Sequence, residues 1–187
     1  MKTAIILHGM PSKEEYFDLH LASPSNQHWL PWIQRQLVLN GVLAQTLELP
    51  EPYAPDYEKW RNVFEQMNID EETDLIGHSC GAGFLVRWLS ENKQRVRKVV
   101  LVAPFLDPDH DEVESDFFQF EIDKQFPDRT LGTTIFVSPQ DDSEILQSVE
   151  LLRSCEPISI LEIPNKGHFT FDDMGTEEFV ELRTLLI

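Results

Sequence analysis

Short apolar runs alternate along this chain with segments whose apolar residues recur at helical spacing. The runs are apolar almost throughout, which is typical of parallel strands that helices cover on both faces. The alternation therefore predicts an α/β fold, with helices on both faces of a mostly parallel six-stranded sheet. The predicted strands cover residues 4–7, 42–47, 74–77, 98–103, 134–138 and 158–163.

Five amphipathic segments lie between and after these strands. Asn40 and Gly41 suit the left-handed turn that ends a helix, and Thr176 is a plausible N-cap for the last helix. We expect the tryptophans of these segments to pack against the sheet, because they lie on the apolar stripes. The stripes are Trp29, Trp32, Ile33 and Leu37; Trp60, Val63, Phe64 and Met67; Ala82, Leu85, Val86 and Leu89; Ile145, Val149 and Leu152; and Phe179, Leu182 and Leu186.

Residues 106–129 fit neither pattern. This segment is too long for a simple connection, so we expect an irregular or helical excursion near the carboxyl ends of the strands. Its acidic first half, residues 107–116, is interpreted as a solvated face. Phe117, Phe118 and Phe120 follow, and they either fill the core or border an acyl pocket. Nothing resembles a linker or a repeat, and we predict a single domain over residues 1–187.

The composition narrows the class of partner. The formal net charge of -18 on 187 residues argues against nucleic acid and anionic membranes, because both would repel this surface. No apolar run reaches the roughly 18 to 20 residues of a membrane span, and the N-terminus does not resemble a signal peptide, so we expect a cytoplasmic protein. Cys80 and Cys155 have no metal-ligand spacing and are expected to be reduced.

Ser79 is the strongest candidate for chemistry. It is the centre of Gly77-His78-Ser79-Cys80-Gly81, which follows a predicted strand and begins an amphipathic helix. A G-x-S-x-G match alone is weak evidence for a nucleophile. A strand, a sharp turn and a helix together, however, are the structural context that a nucleophile elbow requires. The position after Ser79 directs the Cys80 thiol away from the site and leaves its backbone amide as the useful group.

A serine nucleophile needs a base to take its proton and an acid to orient that base. His168 follows the last predicted strand, where Gly167 gives its loop the freedom to turn the imidazole inward. Asp141 and Asp142 follow the fifth predicted strand, and one of them can cap the next helix while its neighbour orients His168. The order Ser, Asp, His is that of α/β-hydrolases.

These motifs, together with His8-Gly9 after the first strand and Trp29-x-x-Trp32, resemble the small serine hydrolases related to retinoblastoma-binding protein and their bacterial relatives. The resemblance covers nearly the whole chain. It implies an α/β-hydrolase fold with little or no cap domain, and a triad of Ser79, Asp142 and His168. Asp142 is preferred because the family's acid lies three positions before an apolar residue, here Ile145, while Asp141 remains an alternative. The resemblance also implies oxyanion donors at the Met10 and Cys80 amides.

The expected activity is hydrolysis of small carboxylic esters or amides through an acyl-enzyme, with no metal and no organic cofactor. The alternative is a hydrolase-fold module that binds a protein partner and has weak or vestigial activity. The presence of all three triad residue types favours an enzyme, because a scaffold has no physical need for them together.

Overall fold

The computed structural model describes all residues, 1–187. Six parallel strands form one sheet in the order β2-β1-β3-β4-β5-β6. The strands are β1 (Thr3–Leu7), β2 (Leu43–Leu47), β3 (Thr73–His78), β4 (Lys98–Val102), β5 (Thr133–Val137) and β6 (Ile158–Glu162). Every strand predicted from the apolar runs is confirmed, with its ends within one residue of the expected ones.

Seven helices accompany the sheet, of which five correspond to the predicted amphipathic segments. They are α1 (Lys13–Phe17), α2 (Leu30–Leu39), α3 (Tyr57–Phe64), α4 (Cys80–Glu91), α5 (Ser143–Leu152), α6 (Phe171–Met174) and α7 (Val180–Leu186). The short α1 and α6 bury no residues, so the sequence has no apolar stripe that would predict them. None of the helices has the length and apolarity that a bilayer span requires.

The two predictions of helix-capping residues have different outcomes. Gly41 follows α2 with a φ of 79°, the left-handed conformation expected there. Thr176, in contrast, is not the N-cap of α7, because that helix starts later and Phe179 occupies the N-cap position. Thr176 instead accepts a local hydrogen bond from the Glu178 amide. The prediction for Thr176 was therefore wrong by three residues.

The core is one contiguous cluster of 45 buried hydrophobic residues between sheet and helices. Its tryptophans lie where their stripes predict: Trp29 and Trp60 are fully buried, and Trp32 is partly buried. Phe117 packs edge-on against Trp60, with ring centroids 4.9 Å apart, and Phe118 packs against Phe105 at 5.4 Å. Of the two roles considered for this phenylalanine group, Phe117 and Phe118 therefore fill the core.

The segment between β4 and β5 is the predicted irregular excursion, with only two short 3-10 helices, Asp116–Phe118 and Phe126–Arg129. Its acidic half is not uniformly solvated, which corrects the expectation. Asp107 is buried, and its carboxylate accepts hydrogen bonds from the amides of Asp111, Glu112 and Val113 at 3.1 to 3.2 Å. This carboxylate holds the start of the excursion in a fixed turn, whereas the other acidic side chains of residues 109–116 are exposed.

Candidate active site

Ser79 lies on a sharp turn between the end of β3 and the start of α4. Its backbone has a φ of 52° and a ψ of -120°, a region that non-glycine residues rarely adopt. Such strain persists only where the surrounding structure enforces it, and it is concentrated at functional sites. The turn has no room for side chains beside it: a Cβ at Gly77 would lie 2.6 Å from Ala82, and one at Gly81 would meet the His8 carbonyl oxygen. The predicted strand, turn and helix around Ser79 are present.

Two cavities open at Ser79, each of about 250 Å³, and His168 lines both of them. The first is lined by polar residues together with Met10, Pro11 and Pro24, and the second includes Phe105 and Ile145. No direct hydrogen bond joins Ser79 Oγ to His168, and in substrate-free sites such bonds are often long. No group of three or more His, Cys, Asp or Glu side chains is arranged to hold a metal ion. The residues predicted at positions 79 and 168 therefore share one site.

The carboxylate that contacts His168 belongs to Asp141. Its Oδ1 lies 2.8 Å from His168 Nδ1, and its side chain has no exposed surface. Asp142, preferred by resemblance, is exposed, occupies the N-cap position of α5, and lines the second cavity without a hydrogen bond to the imidazole. The preference for Asp142 is thus corrected to Asp141. The reason is local: where β5 ends, the chain turns Asp141 inward toward the His168 loop and leaves Asp142 facing outward at the helix start.

The hydrogen bond to Asp141 decides which imidazole nitrogen is free. A carboxylate oxygen accepts, so Nδ1 of His168 carries the proton and donates the hydrogen bond. Nε2 is then the nitrogen with an available lone pair, as a general base requires. Asp141 Oδ1 also accepts a hydrogen bond of 2.8 Å from the Asp142 amide, which fixes the carboxylate against its own backbone.

The loop that carries His168 is held by side chains that the sequence patterns did not single out for this role. Asp173 Oδ2 accepts a hydrogen bond of 2.9 Å from the His168 amide. Gln140 Oε1 accepts from the Asn165 amide at 2.7 Å, and Ser138 Oγ accepts from the Lys166 amide at 3.3 Å. Gly167 has a φ of 46°, a left-handed conformation that glycine adopts readily, in agreement with the freedom predicted for this position. The Gln140 and Ser138 contacts tie the loop to the end of β5, next to Asp141.

The amides of Met10 and Cys80 are available as donors, since neither forms a hydrogen bond within the protein. Cys80 is the first residue of α4, where backbone amides have no intrahelical partner and the helix dipole favours negative charge. Met10 lines both cavities beside Ser79. His8 supports its loop, because His8 Nδ1 donates to the Gly9 carbonyl oxygen at 2.7 Å and Nε2 accepts from the Leu49 amide at 3.0 Å.

The Cys80 side chain is fully buried and lines neither cavity. Burial raises the pKa of the Cys80 thiol, so it stays protonated at neutral pH, and a thiolate is the form that attacks. The Cys80 sulfur is therefore neither exposed to the cavities nor in its reactive form.

The rims of the two cavities carry negative charge. Glu15 and Asp172 line the first, Glu112, Asp142 and Glu144 line the second, and neither lining includes a lysine or arginine. Histidines are the remaining titratable groups there. Burial lowers the pKa of His28 and, more strongly, that of His78, so both are neutral at pH 7. An incoming substrate therefore meets these carboxylates and the neutral imidazoles of His28 and His78.

The parallel sheet and the strained serine turn together define an α/β-hydrolase fold. A family profile described as serine hydrolase matches residues 21–186, and the chain belongs to that family. It is 25% identical over 169 residues to YdeN of Bacillus subtilis, a match that covers 87% of this chain and 88% of YdeN.

Solved structures agree with this assignment. The crystal structure of the B. subtilis ydeN gene product superposes with a TM-score of 0.81 at 25% identity, covering 100% of this chain and 97% of that one. Est1E from Butyrivibrio proteoclasticus, solved with ferulic acid bound, superposes with a TM-score of 0.64 at 14% identity, covering 99% and 90%. The second likeness shows a common fold. The protein is thus a hydrolase of the serine hydrolase family.

Proposed function

We propose that this protein hydrolyses small carboxylic esters or amides through an acyl-enzyme, with Ser79 as nucleophile, His168 as base and Asp141 as the acid that orients His168. The single observation that carries the proposal is the 2.8 Å hydrogen bond from His168 Nδ1 to buried Asp141, beside cavities that His168 shares with Ser79. That bond supports the assignment because it leaves Nε2 unprotonated on the imidazole next to the serine.

In the proposed first step, Ser79 Oγ attacks the substrate carbonyl carbon while its proton moves to His168 Nε2. The negative charge that develops on the carbonyl oxygen is stabilised by the amides of Met10 and Cys80. Collapse of this intermediate transfers the proton from His168 to the departing alcohol or amine and leaves an acyl ester on Ser79. Water, deprotonated by His168, then releases the carboxylic acid and restores the serine. Asp141 stabilises the imidazolium that forms in each half-reaction.

Labelling with a fluorophosphonate probe tests the nucleophile. We expect the wild type to be labelled at Ser79, Ser79→Ala to be unlabelled, and His168→Ala to be labelled far more slowly. Hydrolysis of p-nitrophenyl acetate should follow the same order. Ser143→Ala is the matched control, because Ser143 is an exposed serine at the start of α5, and its labelling should equal that of the wild type.

Absence of labelling and of turnover in the wild type would contradict the proposal. If a protein partner then bound equally well to wild type and Ser79→Ala, the alternative of a binding module would replace it. A panel of p-nitrophenyl esters of increasing acyl length, together with aminoacyl amides, would define ester against amide preference. Since the cavities are small, we expect short acyl groups to give the highest kcat/KM.

A further inference from the structure

His78 forms a direct link between the nucleophile's strand and the loop of the proposed base. Its Nε2 lies 2.8 Å from the backbone carbonyl oxygen of His168, 90 positions later in the chain. A carbonyl oxygen has no proton to give, so Nε2 of His78 is the donor. Burial, together with the nearby His168 and His28, holds the pKa of His78 well below its ordinary value. The donor is therefore a neutral imidazole with its proton on Nε2.

The surroundings of His78 fix the direction of this hydrogen bond. His78 is 3% exposed as a residue, and its ring contacts Trp29 edge-on, with centroids 5.7 Å apart. His28 contacts it edge-on at the same distance, and the His168 ring lies 5.1 Å away. Because rings enclose it on several sides, the imidazole cannot rotate freely, and its N–H is oriented before any substrate arrives.

The loop that receives this bond needs such restraint. Asn165, Gly167 and Phe169 all have positive φ, so the backbone on both sides of His168 is left-handed, a conformation that suits Gly167 but that phenylalanine rarely adopts. Asp173 holds the His168 amide and Asp141 holds its ring. Unlike Asp173 and Asp141, His78 directly precedes Ser79 in the chain and is bonded covalently to it. A bond from residue 78 to residue 168 therefore constrains the position of the base relative to the nucleophile.

We propose that His78 is a positioning residue for the hydrolysis proposed above: its Nε2–H holds the His168 carbonyl and thereby sets the placement of the imidazole at Ser79. This inference rests on the proposed function of Ser79 and His168, and it assigns a role to the histidine inside the Gly-His-Ser motif. His78 itself donates no proton to the substrate and touches no reacting atom.

Two amide substitutions test the hydrogen bond while keeping a polar, uncharged side chain. In His78→Gln, the amide nitrogen reaches the place of imidazole Nε2 and can still donate to the His168 carbonyl. In His78→Asn, the amide nitrogen stands where Nδ1 stood and falls short. Misplacement of a reacting group by about 1 Å costs roughly 10²-fold in rate, so we expect kcat of His78→Asn to fall by about that factor with KM nearly unchanged. His78→Gln should retain most of kcat.

The distinguishing measurement places His78→Asn in a His168→Ala background and follows the slow residual labelling of Ser79 by the fluorophosphonate. With no imidazole left to position, the second substitution should not slow labelling further, because residues that act as a unit have non-additive effects. Equal slowing in both backgrounds would mean that position 78 merely supports the elbow, and would overturn the inference. Equal rates for His78→Gln and His78→Asn would overturn it as well, whether both variants match the wild type or both are slow.

Folding and the underlying function are checked separately. Near-ultraviolet circular dichroism and thermal unfolding of each variant report whether the core is intact; if His78→Asn does not fold, His78→Met, which is apolar and lacks a donor, replaces it. If wild type and His168→Ala were labelled at the same rate, the proposed function itself would fail, and that result does not depend on position 78.

Discussion

His168 Nδ1 lies 2.8 Å from Oδ1 of Asp141 and forms no hydrogen bond or ion pair with the neighbouring Asp142. The two aspartates differ in burial as well: the Asp141 side chain has no exposed surface, whereas Asp142 is exposed at the start of α5. The two adjacent aspartates therefore differ both in burial and in whether they bond to His168.

The first prediction follows from that separation. Asp141→Asn should lower kcat/KM for p-nitrophenyl acetate by about 10³- to 10⁴-fold, because the amide favours the wrong imidazole tautomer and cannot stabilise the imidazolium. Asp142→Asn, the matched control, should stay within a few-fold of the wild type. The opposite ranking would return the acid to position 142. Circular dichroism of both variants would show whether the fold is retained.

The second prediction concerns the close approach behind the serine turn. A Cβ at position 81 would meet the His8 carbonyl oxygen and the Leu7 side chain, so Gly81→Ala should destabilise the protein by about 2 kcal/mol or more. Gly132→Ala is the control, because its new Cβ would have no neighbour within 4 Å, and its effect should stay within about 0.5 kcal/mol. Urea unfolding measures both. Equal stabilities would contradict the close packing of α4 on the first strand.

The third prediction is a dependence of stability on pH. In the folded protein the pKa values of His8, His28 and His78 are lowered by burial, whereas the unfolded chain has ordinary values near 6.5. The unfolded state therefore binds more protons below about pH 6.5, so stability is complete above that pH and falls as the pH drops. For a histidine whose folded pKa lies well below this window, the loss between pH 7.5 and 5.5 is about 1.3 kcal/mol.

His78→Gln isolates one histidine of this set. It should lose about 1.3 kcal/mol less than the wild type between pH 7.5 and 5.5, because glutamine does not titrate. His20→Gln is the control, since His20 is exposed and its replacement should leave the wild-type loss unchanged. Urea unfolding at the two pH values provides the measurement, and an identical loss for His78→Gln and wild type would contradict a lowered pKa of His78 in the folded protein.

The fourth prediction concerns the charge of the substrate. The carboxylates around the two cavities, with no lysine or arginine among the lining residues, should favour cationic over neutral esters of the same shape. Butyrylcholine and 3,3-dimethylbutyl butyrate differ in charge but hardly in shape. We expect kcat/KM to be about 10-fold higher for the choline ester at low salt, and the ratio to approach one in about 0.5 M salt, where screening is strong.

Variants locate the origin of that preference. Glu144→Gln, on the rim of the second cavity, should reduce the ratio between the two esters. Glu181→Gln, an exposed acid on α7 that lines neither cavity, changes the net charge equally and should leave the ratio unchanged. If both variants reduced it alike, the overall charge of the protein and not the cavity rims would be responsible.

The amino-acid sequence by itself determined the strands, the helices with apolar stripes, and the serine turn at Ser79. These features depend on the spacing of apolar residues and on glycines close to one another in the chain, so local patterns contain the information. It also indicated His168, because that residue follows the last strand and the carboxyl ends of parallel strands meet at one edge of the sheet.

Only the tertiary structure decided which aspartate contacts His168, that Asp107 is buried, and that His78 holds the His168 backbone. Asp107 and Asp141 lie in irregular loops, where a local pattern does not fix the direction of a side chain, whereas His78 ends β3 and bonds to the loop of His168. Two of these contacts join residues far apart in the chain, by 27 positions for Asp141 and by 90 for His78. A local sequence pattern can therefore identify a residue with the right chemistry. Which residue it contacts depends on how the loops pack against one another.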